Sequence, residues 1–373
     1  MNTKTIVAVG LIAVIGLAVL GAYLLLKPPS EETKPSTENV SFQLTHAGSH
    51  TMTPTSNYRT GVFNRLFYDP SKNKFYLTLS GIKTGATDNT FANWEYAYYE
   101  LDSDLNQTGV SGVIPVMVQG DYAIASDGMY YYFVTGHPQG WRLAKLTSDF
   151  QKVNEVVVGW DKNQDAGNDQ LMNYTNGKLY MATLYDTQGT GEGYFTGAHP
   201  GMTYPHIFVY NTSLQHLENR YLLDESNIPA GGSIIFNNGK YHMVTADKMS
   251  GATSKLYVYQ WDSSWNYLGK KLLASDGQWS QGLLYENGLY YVAYHVGEHE
   301  CGNIALGVYD DNWNKITSVN VTEYSENSNA QRPWLIKVGD KLYVSYDVGP
   351  VVNRHEVIYN WQCHIDVYTV SVQ

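Results

Sequence analysis

The chain has 373 residues, 43% hydrophobic and 16% charged, with a formal net charge of -11. That apolar content supplies a sizeable core and excludes a disordered chain. An excess of 35 Asp and Glu over 24 Lys and Arg excludes a phosphate-binding surface, so no nucleic-acid partner is expected. The 32 Tyr and 34 Gly suit pleated strands joined by tight turns, and an all-β chain is expected.

The first element is a membrane helix. Ile6 to Leu26 is an unbroken run of apolar and small residues between Lys4 and Lys27, and about 20 such residues cross the roughly 30 Å hydrocarbon layer. A cleaved signal peptide has a shorter apolar core and a small-x-small exit, whereas this run ends in Tyr23-Leu24-Leu25-Leu26. Residues 1–27 are therefore read as a retained single-pass anchor, and 28–38, with Pro, Ser, Thr and Glu, as a stalk. Asn-x-Ser/Thr sequons at Asn39, Asn106, Asn173, Asn211 and Asn320, together with an acidic, sparsely charged chain, place residues 39–373 on the extracytoplasmic side of the cell membrane. Glycosylation is expected at those five asparagines.

Beyond the stalk one pattern recurs: a turn, then Lys or an apolar residue, then aromatic-rich alternation. Its copies begin at Lys74, Met129, Lys178, Lys240, Leu289 and Lys341, at intervals of 55, 49, 62, 49 and 52 residues. Asp127-Gly128, Asn176-Gly177, Asn238-Gly239, Asn287-Gly288 and Gly339-Asp340 precede five of them, which is the chemistry of a two-residue hairpin. Downstream in each of the first five units lies a polar turn followed by a large apolar residue: Asp102 to Asn106, Thr147 to Gln151, Asn211 to Gln215, Asp262 to Asn266 and Asp310 to Asn314. Asp, Asn, Ser and Thr bond the amides two residues on, and Leu, Phe or Trp is expected to tuck between neighbouring units.

Four strands in about 50 residues make a β-propeller blade, and six units make a six-bladed propeller spanning 39–373. The sixth unit stops at Gln373 after three strands, Trp334 to Lys337, Lys341 to Asp347 and His364 to Val370. The strand Ser41 to Thr45, before the first unit, is the missing fourth, so the amino-terminal strand is expected to close the ring beside the last one.

This arrangement resembles the six-bladed sialidase-like propellers, whose blades carry a Ser-x-Asp-x-Gly-x-x-Trp box at the turn between strands three and four. The resemblance spans about residues 40 to 373 and implies the architecture. None of the turns here has the box Gly and Trp in place, so the resemblance does not carry over the family's activity.

In a propeller the loops between strands two and three, and from strand four to the next blade, gather around the mouth of the channel. Here these are the long loops, 81–94, 186–206, 295–303 and 347–363. Strand-two ends bring Asp186, Asp247, His295 and Asp347, and strand-one entries bring Arg65, Gln281 and Arg332, to that face. With tryptophans in nearby loops, they suit a glycan, whose hydroxyls need hydrogen bonds and whose ring faces stack on aromatics. A non-catalytic surface binding or assembly module is the leading reading. A glycoside hydrolase using two of Asp186, Asp247 and Asp347, and a structural subunit of a surface layer or filament, are the alternatives.

Two further clusters carry chemistry. Asp161, Asn163, Asp165 and Asp169 place oxygen ligands at alternate positions, as a calcium-wrapping loop does, although Ala166 and Met172 stand where that loop has Gly and Glu. Cys301 and Cys363 open strand three in consecutive blades, so a disulfide tying blade five to blade six is expected in preference to a transition-metal site with His295, Glu298 and His299.

Overall fold

The computed structural model describes residues 42–372 apart from 53–56, 87–92, 117–121, 136–140, 159–164, 187–202, 223–231, 248–253, 278–281, 298–301, 325–327 and 351–361. The expected anchor, stalk and Asn39 lie outside the described residues, as do Asp161, Asn163, Gln281, Glu298, His299 and Cys301. The side chains of Asp165, Asp169 and Asp186 are also outside the description. Among the described residues no helix is long and apolar enough to cross a membrane.

Local turn chemistry sets the hairpins. At Asn176-Gly177, Asn238-Gly239 and Asn287-Gly288 both residues take positive φ, between 49° and 81°. That backbone twist matches two antiparallel strands, and only Asn and Gly enter it cheaply. Each turn fixes a register, for example Asn237 opposite Lys240 and Glu286 opposite Leu289. The polar turns between strands three and four repeat with the same fidelity. Asp102, Asp262 and Asp310 each accept two backbone amides through Oδ1 at 2.8–2.9 Å, Asn211 does so at 2.9–3.0 Å, and Thr147 Oγ1 at 3.1–3.3 Å.

Among the described residues 24 strands form six four-stranded sheets. From the innermost strand outwards, blade one is Tyr58–Asp69, Lys74–Lys83, Trp94–Leu101 and Gln107–Val113, and blade two is Tyr122–Ser126, Tyr131–Thr135, Arg142–Leu146 and Lys152–Val157. Blade three is Asp165–Thr175, Lys178–Asp186, Thr203–Asn211 and His216–Tyr221; blade four is Ser233–Asn237, Lys240–Ala246, Leu256–Asp262 and Tyr267–Ala274. Blade five is Gly282–Glu286, Leu289–Val296, Asn303–Asp310 and Lys315–Asn320. Blade six takes Ser328–Val338, Lys341–Pro350 and Gln362–Val372 from the end of the chain and its outermost strand, Phe42–Met52, from the beginning. The expected closure is therefore formed, by a strand longer than the five residues read from the sequence.

The core is divided among the junctions between blades. One apolar cluster joins Phe75, Leu77 and Leu105 of blade one to Tyr343, Ile365 and Val367 of blade six. Equivalent clusters fill each of the other five junctions, so the hydrophobic effect acts around the whole ring. The large residue of each polar turn is a plug in this scheme. Leu105, Phe150, Leu214, Trp265 and Trp313 all take φ between 58° and 66°, a conformation unfavourable for bulky side chains. Each packs against the preceding blade: Phe150 on Tyr76, Leu214 in the blade-two cluster, Trp265 stacked 3.6 Å from Tyr241 in the cluster that includes Tyr180, and Trp313 stacked 3.9 Å from Tyr290 beside His242. Lysines seal some of the same joints, Lys72 on the Ser148 carbonyl at 3.1 Å, Lys145 on Thr212 and Lys271 on Asn312 at 3.0 Å. Trp313 is 2% exposed and its Nε1 donates to His242 Nδ1 at 3.1 Å. Trp313→Ala is therefore expected to lower unfolding free energy by about 3–5 kcal/mol in urea titration.

One expectation is corrected by strand parity. Cys363 shares its face with Ile365 and Val367 and packs towards blade one, away from blade five, as a buried free thiol whose Sγ contacts the His364 carbonyl at 3.6 Å. Burial and the nearby Asp347 push its pKa up, so it is an unreactive thiol. Strand Asp165–Thr175 begins inside the segment read as a calcium loop: Asp165 pairs with Tyr185, and the register shifts between Ala166 and Leu171.

Candidate functional site at the blade six to blade one junction

The innermost strands of a propeller line its channel. In blades one and six those strands depart from regular pairing at matching places. The register shifts between Val62 and Arg65 in blade one and between Gln331 and Trp334 in blade six. Phe63 and Arg332 sit in the two bulges with φ of 57° and 55°. Non-glycine residues in this region cost energy and are held by their surroundings, often at functional sites.

Asp347 holds both. From the second strand of blade six, its Oδ2 accepts the Phe63 amide at 2.8 Å and its Oδ1 the Asn64 amide at 3.1 Å, while the Asn64 side-chain amide also donates to Oδ1. The Arg332 guanidinium lies 3.3 Å from Oδ2. One carboxylate thus satisfies the amides that the blade-one bulge removes from the ladder and neutralises the arginine of the blade-six bulge. Arg332 also lies over the Phe63 ring, 4.4 Å from its centre. Arg65, fully buried, donates to the Asn64 carbonyl at 3.1 Å and lies over the rings of Trp334 and Tyr122 at 5.2 and 5.9 Å.

Arg65, Arg332 and Asp347 are therefore brought into one polar cluster, and His295 lies close enough to Arg332 to feel its charge. Burial, an Asn329 hydrogen bond notwithstanding, pushes the His295 pKa down to about 4, and the Arg332 charge adds to the fall. The ring is packed under Gly302, where a Cβ would stand 1.7 Å from Nε2. Arg65, His295 and Asp347 are all 0% exposed, so they support the rim from beneath; the partly exposed groups are Phe63 and Arg332.

The other expected site residues stand apart. Asp247 closes its own loop, its Oδ1 accepting the Lys255 amide at 2.9 Å. Asp186 ends a strand opposite Thr203. Of the sequon asparagines, Asn173 donates its amide to the Ile234 carbonyl at 2.6 Å across two blades and Asn211 donates to Gln215 at 2.8 Å, while Asn106 and Asn320 are exposed. Phe63 and Asn64 escaped the sequence reading because nothing in the local sequence marks a bulge that a distant carboxylate holds. Among the described residues no three His, Cys, Asp or Glu converge as a metal site.

No family model matches the chain, and no curated protein matches it. Among solved structures, the subtype N11 neuraminidase-like protein of an A/flat-faced bat/Peru strain matches over 86% of this chain and 94% of that chain, at 9% identity and a TM-score of 0.52. The subtype N10 neuraminidase-like protein of an A/little yellow-shouldered bat/Guatemala strain matches over 88% and 100%, at 8% identity and 0.49. A xylan beta-1,4-xylosidase from Bacillus Halodurans matches over 68% of this chain and 52% of that chain, at 13% identity and 0.45. The chain shares the six-bladed architecture of neuraminidase-like propellers, and at these identities the likeness is one of fold.

Proposed function

We propose that the chain is a membrane-anchored, extracytoplasmic propeller that binds a glycan on its long-loop face and does not cleave it. The observation that carries this reading is the Phe63 ring and Arg332 guanidinium, partly exposed on adjoining innermost strands and fixed by Asp347. An aromatic face beside a planar donor fork suits the apolar face and hydroxyls of a sugar. Two of the three carboxylates that hydrolysis could have used have structural tasks: Asp347 is sealed under the bulges and Asp247 closes a loop. A glycosidase needs a general acid and a second carboxylate reaching the same bond.

A glycan array probed with the full-length chain, with and without EDTA, tests the reading. Binding to a defined glycan class, weakened at least tenfold in Arg332→Ala without release of reducing sugar, is the expected outcome. The EDTA arm reports on the calcium expectation at Asp161 to Asp169. Release of reducing sugar by the wild-type chain, lost in Asp186→Ala, replaces the reading with the hydrolase one.

One observation favours the alternative of a surface-layer or filament subunit. The outermost strands expose paired apolar side chains, Val153 with Val157, Leu217 with Tyr221 and Leu268 with Leu272, at 45–54% exposure. Unprotected apolar edges promote edge-to-edge association. Concentration-dependent assembly of the full chain, abolished by Leu268→Lys with Leu272→Lys, would support that role.

A further inference from the structure

Blade six differs from the others in how its outermost strand is held. Phe42–Met52 pairs with Gln362–Val372, a strand from the far end of the chain, so no hairpin ties the two. Terminal strands of this kind open early unless something fastens them. On the blade-one side the fastening is Leu105, the plug of the first polar turn, buried in one apolar cluster with Met52. A leucine is smaller than the Trp265 and Trp313 plugs of other joints, and a cleft of about 410 Å3 remains beside it. Residues 49–52 of the closing strand form one wall and residues 105–107 of the blade-one turn the other. Its volume lies within the roughly 300–1,000 Å3 of small-ligand clefts.

The lining points to the occupant. Asn106-Gln107-Thr108 is a sequon, and of the five polar turns this is the one that carries it; the equivalent positions begin at Gln151, Gln215, Asn266 and Asn314, and the last two continue as Tyr267-Leu268 and Lys315-Ile316. Asn106 is exposed, and Asp102 Oδ1 holds its backbone amide at 2.9 Å, so the turn closes without the asparagine side chain. Asn106 Nδ2 donates to Asp102 Oδ2 at 3.3 Å and keeps one hydrogen when a sugar is attached. By contrast, the Asn173 amide is committed to the Ile234 carbonyl at 2.6 Å, and Asn211 Oδ1 closes its own turn. In the cleft His50, Thr51 and Gln107 offer polar groups to sugar hydroxyls, and Met52 and Leu105 offer an apolar floor. A sugar tethered at the rim sits at millimolar effective concentration, so weak contacts suffice.

On the extracytoplasmic placement, on which this inference rests, we propose that Asn106 bears an N-linked glycan whose first N-acetylhexosamine occupies the cleft and clamps the closing strand to blade one. The glycan comes from a lipid pyrophosphate-linked oligosaccharide. The bond from sugar C1 to Asn106 Nδ2 forms, the C1–O bond to phosphate breaks, Nδ2 gives up one proton, and the lipid pyrophosphate leaves. Seating the sugar only in the closed ring stabilises closure by linkage.

The test uses the full-length chain made in a eukaryotic secretory host, with site-by-site glycopeptide mass spectrometry and amide exchange over residues 42–52. Expected are an occupied Asn106 and exchange at least fivefold slower than after PNGase F, which removes the whole glycan from the folded protein. Endoglycosidase H, which leaves one N-acetylglucosamine on the asparagine, should preserve the slow exchange. Thr108→Ala, which removes the sequon and keeps Asn106, should exchange as the PNGase F product does. An empty Asn106 beside an occupied Asn320, or equal exchange before and after PNGase F, overturns the clamp and leaves the placement standing. Empty sequons throughout the chain overturn the placement and the clamp with it.

Discussion

Asp347→Ala is expected to lower the unfolding free energy by about 3–5 kcal/mol, the loss typical of removing one partner from a buried ion pair. The substitution removes the acceptor of the Phe63 and Asn64 amides and of the Asn64 side-chain amide, together with the carboxylate that faces the Arg332 guanidinium. A buried donor left unmade carries its full desolvation cost. Asp347→Asn retains one acceptor oxygen and should lose less. Urea titration of both variants checks the ordering, and a near-neutral Asp347→Ala would show that the bulges hold themselves.

Stability is also expected to fall as pH drops from about 6.5 to 4. His242 is wedged between blades four and five: Nδ1 accepts from Trp313 Nε1 at 3.1 Å, and Nε2 meets the Tyr290 hydroxyl at 3.2 Å. Burial lowers its pKa from 6.5 to about 4, and His295 is shifted likewise. Above pH 6.5 both states carry neutral imidazole and neither histidine penalises folding. Below it the unfolded chain takes up protons that the folded chain refuses, so stability is lost until the pH reaches the folded pKa. A difference of two and a half units corresponds to about 3 kcal/mol for each histidine. The lowered carboxylates of Asp102, Asp262 and Asp310 act in a lower window, below pH 3.8, so the two effects separate. Urea midpoints at pH 7.5, 5.5 and 4.5 should decline steadily, with a shallower slope in His242→Asn. Constant midpoints across that range would contradict the buried neutral assignment.

Much of the architecture is legible because it rests on short-range chemistry repeated many times. Asn-Gly pairs dictate the hairpins, and an Asp, Asn or Thr followed two residues later by a free amide dictates the polar turns; five copies make the period visible. Closure is legible by subtraction, since the last unit lacks the strand that the first carries in excess. Side-chain direction is harder, because one residue of slip reverses every face. That is why Cys363, on a strand read correctly, points to blade one instead of blade five. The bulges at Phe63 and Arg332 are set by Asp347, some 280 residues from Phe63 in sequence, and no local pattern announces them. Exposure follows the same rule: Arg65, His295 and Asp347, expected at the channel mouth, are fully buried.

The binding role assigned to the Phe63 and Arg332 pair is tested most directly by hydrogen exchange of the full-length chain with and without a glycan selected on the array. Protection is expected in the innermost strands Tyr58–Asp69 and Ser328–Val338, lost in Arg332→Ala. Protection confined to the outermost strands, or none in either innermost strand at saturating glycan, would contradict it.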